Sequence, residues 1–173
     1  LFPSLTSLTL ASDLPSEVWN ELLFALPASL LKLDISFEIQ LESTKAMLLL
    51  PNLTFLHLVA FNNTFSDEFL FPANLADLAL KLLDFSIVKV IPKTLSLTKL
   101  QLEWPHMTDP YLEPEAKIRF PPSLVYLDIS VSYICPSELI PALPRGLTYL
   151  KVYEFSCPWT CRDLTGTLPP TLK

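Results

Sequence analysis

Leu124-Val125-Tyr126-Leu127-Asp128-Ile129, preceded by Phe120-Pro121, decides the fold, because the chain repeats its pattern from end to end. On one side Leu147-Thr148-Tyr149-Leu150-Lys151-Val152 follows Leu143-Pro144, and a further copy begins at Leu168-Pro169-Pro170-Thr171-Leu172. On the other side the pattern runs back through Leu97–Leu102, Leu75–Leu80, Leu53–Leu58, Leu30–Ile35 and Leu5–Leu10. An apolar-Pro pair stands ahead of each. The leading leucines are Leu5, Leu30, Leu53, Leu75, Leu97, Leu124, Leu147 and Leu172, separated by 25, 23, 22, 22, 27, 23 and 25 residues. One L-x-x-L-x-L match would mean little. Eight at nearly constant spacing define a repeat protein.

The repeat has a direct physical reading. Side chains alternate across a strand, so the second leucine and the apolar residue two places later share one face. A single unit cannot bury that face. Stacked units bury a continuous leucine column while each strand pairs in parallel with the next. Proline precedes the strand, where its missing N–H costs no ladder bond. The expectation is an α/β solenoid: a right-handed coil with one parallel sheet of seven or eight short strands, ~34 Å long, and irregular or short-helical return segments. Ser12 or Asp13 as cap, Pro15 in the first turn and the stripe Val18, Trp19, Leu22 and Leu23 predict a helix. Ser43–Leu49 predicts a shorter one, and Ser66–Phe71 and Pro136–Leu143 single turns; His106–Arg119 reads as a loop.

Composition agrees. Of 173 residues, half are hydrophobic and 38 are leucine, which suits one domain with a sizeable core. Seventeen prolines against two glycines disfavour a hairpin-built sandwich, whose tight turns consume glycine. A net charge of −6 argues against nucleic acid as partner. The densest apolar runs, Leu22–Leu26 and Ala46–Leu50, are too short for membrane insertion. No stretch reads as a signal peptide, although the chain opens at Leu1 without methionine.

The array resembles the leucine-rich repeat family along the whole chain. The closest variant is the short Pro-x-Ser-Leu-x-x-Leu-x-Leu repeat of large fungal and protist arrays, similar to FNIP repeats. Family units usually carry Asn or Cys eight residues after the first leucine, where the side chain ties adjacent turns together. Here those positions are Asp13, Glu38, Phe61, Leu83, Pro105, Ser132 and Phe155, so irregular turns are expected. The resemblance implies a single domain over residues 1–173, about seven repeats and a truncated eighth. No polar cap stands at either end, which predicts a segment of a longer array or copies stacked end to end.

Catalytic motifs are missing. His57 falls on a strand and His106 in a proline-rich loop, with no phosphate loop, H-E-x-x-H or G-x-S-x-G. No cofactor is implied. Cys157-Pro158-Trp159-Thr160-Cys161 and the distant Cys135 fall short of four zinc ligands. Two readings of these cysteines stand: buried thiols, or a Cys135–Cys157 disulfide between adjacent turns. Asn52-Leu53-Thr54 and Asn62-Asn63-Thr64 match the glycosylation sequon, Asn62 being the better acceptor in a secreted protein.

The residues between the leucines face outward and would line the concave face. Two places after the leading leucine they are Ser7, Lys32, Phe55, Asp77, Lys99, Tyr126 and Tyr149; four places after, Thr9, Asp34, His57, Ala79, Gln101, Asp128 and Lys151. Six places after, they are Ala11, Ser36, Val59, Lys81, Glu103, Ser130 and Tyr153. The last three units thus gather Trp104, Tyr126, Tyr149 and Tyr153 among Glu103, Asp128 and Lys151, the mix found in interface hot spots. The expected function is a non-catalytic scaffold that binds a protein partner on that face. The alternative is a receptor or adhesion ectodomain segment that recognises a peptide or glycan.

Overall fold

The computed structural model describes residues 3–11, 16–38, 49–60, 71–82, 91, 96–103, 119–130, 136–153 and 168–172. Seven strands lie in these segments: β1 (Ser7–Leu10), β2 (Lys32–Glu38), β3 (Phe55–Ala60), β4 (Asp77–Leu82), β5 (Lys99–Glu103), β6 (Tyr126–Ser130) and β7 (Tyr149–Tyr153). They form one sheet in chain order, every neighbouring pair parallel. The chain is therefore a solenoid that adds one strand per repeat.

The inward column is the one expected from the alternation. Leu33, Ile35, Leu56, Leu58, Leu78, Leu80, Leu100, Leu102, Leu127 and Ile129 are between 0 and 3% exposed. In β1 and β7 the equivalent Leu8, Leu10, Leu150 and Val152 are half-buried, because each has a neighbouring unit's strand on one side only. The leading leucines stand just before the strands and are buried from Leu30 to Leu147. Five of them close a tight turn: Leu30 N–H donates to Pro27 O, Leu53 to Leu50 O, Leu75 to Pro72 O, Leu124 to Pro121 O and Leu147 to Pro144 O. At the second position of two of these turns, Pro51 and Pro122 hold φ near the value the turn needs.

The units are tied together in that lead-in turn. The residue just before the leading leucine is Ser29, Asn52, Asn74, Ser96, Ser123, Gly146 or Thr171. Asn52 Nδ2 donates to Ala28 O at 2.9 Å and Asn74 Nδ2 to Pro51 O at 2.8 Å. Ser123 Oγ donates to Leu97 O at 2.7 Å. The hydroxyls of Ser29, Ser96 and Thr171 each sit between two carbonyls of the preceding unit. Thr54 and Thr98 add a second donor two residues later in their units, and Thr148 supplies one where Gly146 has no side chain. A side-chain ladder thus links adjacent units in the turns before the strands. Its Ser and Asn rungs reach carbonyls of the preceding unit, and the Thr54, Thr98 and Thr148 hydroxyls share theirs with backbone N–H groups.

Two helices lie on return segments, α1 (Ser16–Ala25) and α2 (Pro136–Ala142). In α1 Leu23 is buried and Leu22 packs on the core, but Val18 is 43% exposed. The expected stripe is therefore corrected: Val18 faces outward. In place of a single turn, α2 makes a seven-residue helix that buries Leu139 and Ile140. Pro136 suits its first position, and Pro141, which lacks an N–H, stands one residue from its end. The predicted helix at 43–49 and the turn at 66–71 lie outside the described residues except for their last residues, as does the loop at 106–119 except for Arg119.

Candidate binding face

The outward residues form three rows across the strands. The first is in register through Ser7, Lys32, Phe55, Asp77, Lys99, Tyr126 and Tyr149. The second runs through Thr9, Asp34, His57, Ala79, Gln101, Asp128 and Lys151. The third runs through Val59, Lys81, Glu103, Ser130 and Tyr153. One position departs from expectation. The β2–β3 register shifts between Ile35 and Glu38, so Glu38 and not Ser36 stands opposite Val59. Ser36 instead donates through Oγ to Leu10 O.

Within each row, neighbours are about 4.8 Å apart, close enough for side chains to pair. Lys99 Nζ lies 3.0 Å from Asp77 Oδ2 and 5.4 Å from the centroid of the Tyr126 ring. That ring stacks on Tyr149, centroids 4.3 Å apart and planes 2° from parallel. The first row is thus a continuous chain of carboxylate, ammonium and two phenols. In the second row His57 Nδ1 lies 2.8 Å from Asp34 Oδ1. In the third, Lys81 donates to Glu103 at 2.7 Å. Lys151 leaves its own row to sit 4.3 Å from the centroid of the Tyr153 ring. Such exposed ion and cation–π pairs each contribute about 0–1 kcal/mol, so they order the face more than they hold the fold.

Two groups are left over. Asp77 Oδ1 is buried and has no hydrogen-bond partner, while its other oxygen takes Lys99. Asp128 forms no ion pair among the described residues. It is engaged instead by the phenol beside it: burial first, then the charges of Asp128 and Tyr149 and side-chain hydrogen bonding to both, push the Tyr126 hydroxyl above its usual value of 10.0.

A trough of about 410 Å³ opens between the second and third rows. Ala79 supplies its depth, since no long side chain fills the space between His57 and Gln101. The Lys81–Glu103 pair borders it, and Asp128, Ser130 and Tyr153 line its β6–β7 end.

Of the residues singled out by sequence, Tyr126, Tyr149, Tyr153, Asp128, Lys151 and Glu103 all stand on this face. Tyr149 and Tyr153 are 40% and 42% exposed, and Tyr126 is half-buried. Asn52 lies instead in a lead-in turn, its amide nitrogen occupied by Ala28 O. Trp104, Asn62, Cys135 and Cys157 lie outside the described residues. The sequence reading passed over Asp77, Lys99, Lys81, Ala79 and Gln101 as site residues. Opposite charges at the same repeat offset, as in Asp77 and Lys99 or Lys81 and Glu103, were the signal for the first three. Among the described residues no cluster of His, Cys, Asp and Glu could hold a metal ion, and no helix is long and apolar enough to cross a membrane. No family model, curated protein or solved structure matches the chain.

Proposed function

We propose that this chain is a leucine-rich-repeat-type scaffold without catalytic function, which binds a protein partner on its open sheet face. The observation that carries the reading is the Tyr126–Tyr149 stack, its ring planes within 2° of parallel, with Tyr153 further along the same strand under Lys151. Large aromatic rings already fixed in place lose little entropy on binding, and aromatics of this kind dominate interface energies. The surrounding charges are mostly paired within the face, which lowers the cost of desolvating them.

The test places a photo-crosslinking amino acid at Gln101, on the open face, or at Glu21, exposed on α1. The full chain is then irradiated with proteins of its source cells. Discrete adducts from Gln101 and none from Glu21 are expected. Adducts from Glu21 alone, or none from Gln101, would remove the reading.

A further inference from the structure

We propose that the trough takes an extended, basic segment of the partner, lying across the strands with an arginine side chain seated against Asp128 beside the tyrosines. This rests on the reading of the open face as a protein-binding surface, and names the chemistry of the partner.

Charge bookkeeping within the trough points to a cation. Lys81 is neutralised by Glu103 and His57 is engaged by Asp34. Lys151 is the register partner of Asp128, yet its ammonium lies over Tyr153 and makes no ion pair with Asp128. Asp128 is therefore the one trough carboxylate without a basic partner among the described residues. It stands on a chain whose net charge is −6, which attracts basic partners at longer range. Arginine fits better than lysine. Its planar guanidinium makes two parallel hydrogen bonds to a carboxylate and stacks on aromatic faces, and this end of the trough offers the Asp128 carboxylate and the Tyr153 ring. Burial raises the ionisation of Tyr126 most, and the Asp128 charge adds to it, which places that carboxylate close to the phenol.

The dimensions indicate an extended peptide. The lining runs from His57 on β3 to Tyr153 on β7, four strand spacings or ~19 Å. An extended chain covers that distance in about six residues. Along the way Gln101 and Ser130 have no side-chain hydrogen bond to any described residue. Their donors and acceptors are free for the backbone of such a segment.

The test is titration of the isotope-labelled full chain, followed by amide chemical shifts, with an end-blocked peptide of serine and threonine carrying one central arginine. Counterparts carry citrulline, lysine or glutamate. The arginine peptide is expected to shift Gln101, Asp128 and Ser130 and to bind about tenfold more tightly than its citrulline counterpart. Asp128→Asn should erase that preference with the remaining spectrum unchanged. Lys151→Gln, which removes the neighbouring cation, should strengthen arginine binding. Equal affinity for arginine and citrulline, a preference that survives Asp128→Asn, or no binding by the arginine peptide overturns the inference. Crosslinking from Gln101 separates the two ideas. If it persists while the arginine preference fails, the face binds a partner of other chemistry; if it fails too, the binding face itself is lost.

Discussion

The two faces of each strand differ in kind. Inward, the same residue type recurs at the same offset, and Leu56, Leu78, Leu100 and Leu127 are interchangeable parts of one column. Outward, neighbours at one offset differ: Asp77, Lys99 and Tyr126 share a row and are joined by charge and ring contacts. Uniformity on one face and variety on the other separate two tasks. The inner face needs only to be apolar and well filled, since the hydrophobic effect is not directional. The outer face is free of that demand, so its residues can be chosen for what they meet.

The sharpest test sets adjacent residues of β4 against each other. Leu78→Ala should destabilise by about 2–5 kcal/mol, since it deletes a fully buried side chain. Ala79→Ser, one residue on and facing out, should change stability by less than ~0.5 kcal/mol. Chemical denaturation measures both, and similar losses would break the distinction between the faces.

The next effect is on binding. Tyr126→Ala or Tyr149→Ala should weaken partner binding by about 1–2 kcal/mol and, through loss of the stack, lower stability by only about 0.5–1.5 kcal/mol. If both variants bind as the parent does, the aromatic pair carries no recognition.

A third prediction concerns the junction rather than either face. Gly146 is the one member of the interior lead-in series with no side chain, and an added Cβ would meet nothing within 4 Å. Gly146→Ser should place a hydroxyl near the carbonyls of Pro122 and Leu124, as Ser29 and Ser96 do in their units. A gain of about 0.5–1.5 kcal/mol is expected from the bond, with a further contribution from restricting the unfolded chain. Lower stability in thermal unfolding would mean that the ladder does not transfer between units.

The smallest effect is electrostatic. Folding raises the Tyr126 hydroxyl above 10.0, so in that alkaline range the folded chain binds more protons than the unfolded one. The associated stability is present below about pH 10 and is lost as pH rises through the raised value. Ultraviolet titration should show a phenol that ionises above 10.0, and Asp128→Asn should lower it. A titration of that phenol that Asp128→Asn leaves unmoved would show that the carboxylate does not act on Tyr126.

Much of this was legible in the residues. L-x-x-L-x-L located each strand, and its alternation separated Leu127 and Ile129 from Tyr126 and Asp128. Constant offsets also set the rows, because parallel units stack in register. The reading failed where one unit breaks the repeat, as at the Ser36–Glu38 irregularity. It also failed where a helical face depends on neighbours, as at Val18. The ladder of Ser29, Asn52, Asn74, Ser96 and Ser123 stood in plain view as the residue before each leucine. Its role was hidden because a Ser or Asn before a leucine has many uses until its acceptor is known.

The parallel coil and its leucine column follow from order along the chain alone, since alternation within a strand and recurrence between units are properties of neighbouring positions. Which polar groups pair does not. Asp34 and His57 are 23 residues apart, and Lys81 and Glu103 are 22 apart; they meet only after the coil has closed and set their register. The same closure turns Lys151 toward Tyr153 and leaves Asp128, in the trough lining, without a cation among the described residues. That choice depends on distances of a few ångströms between separate turns, and such distances exist only in the assembled sheet.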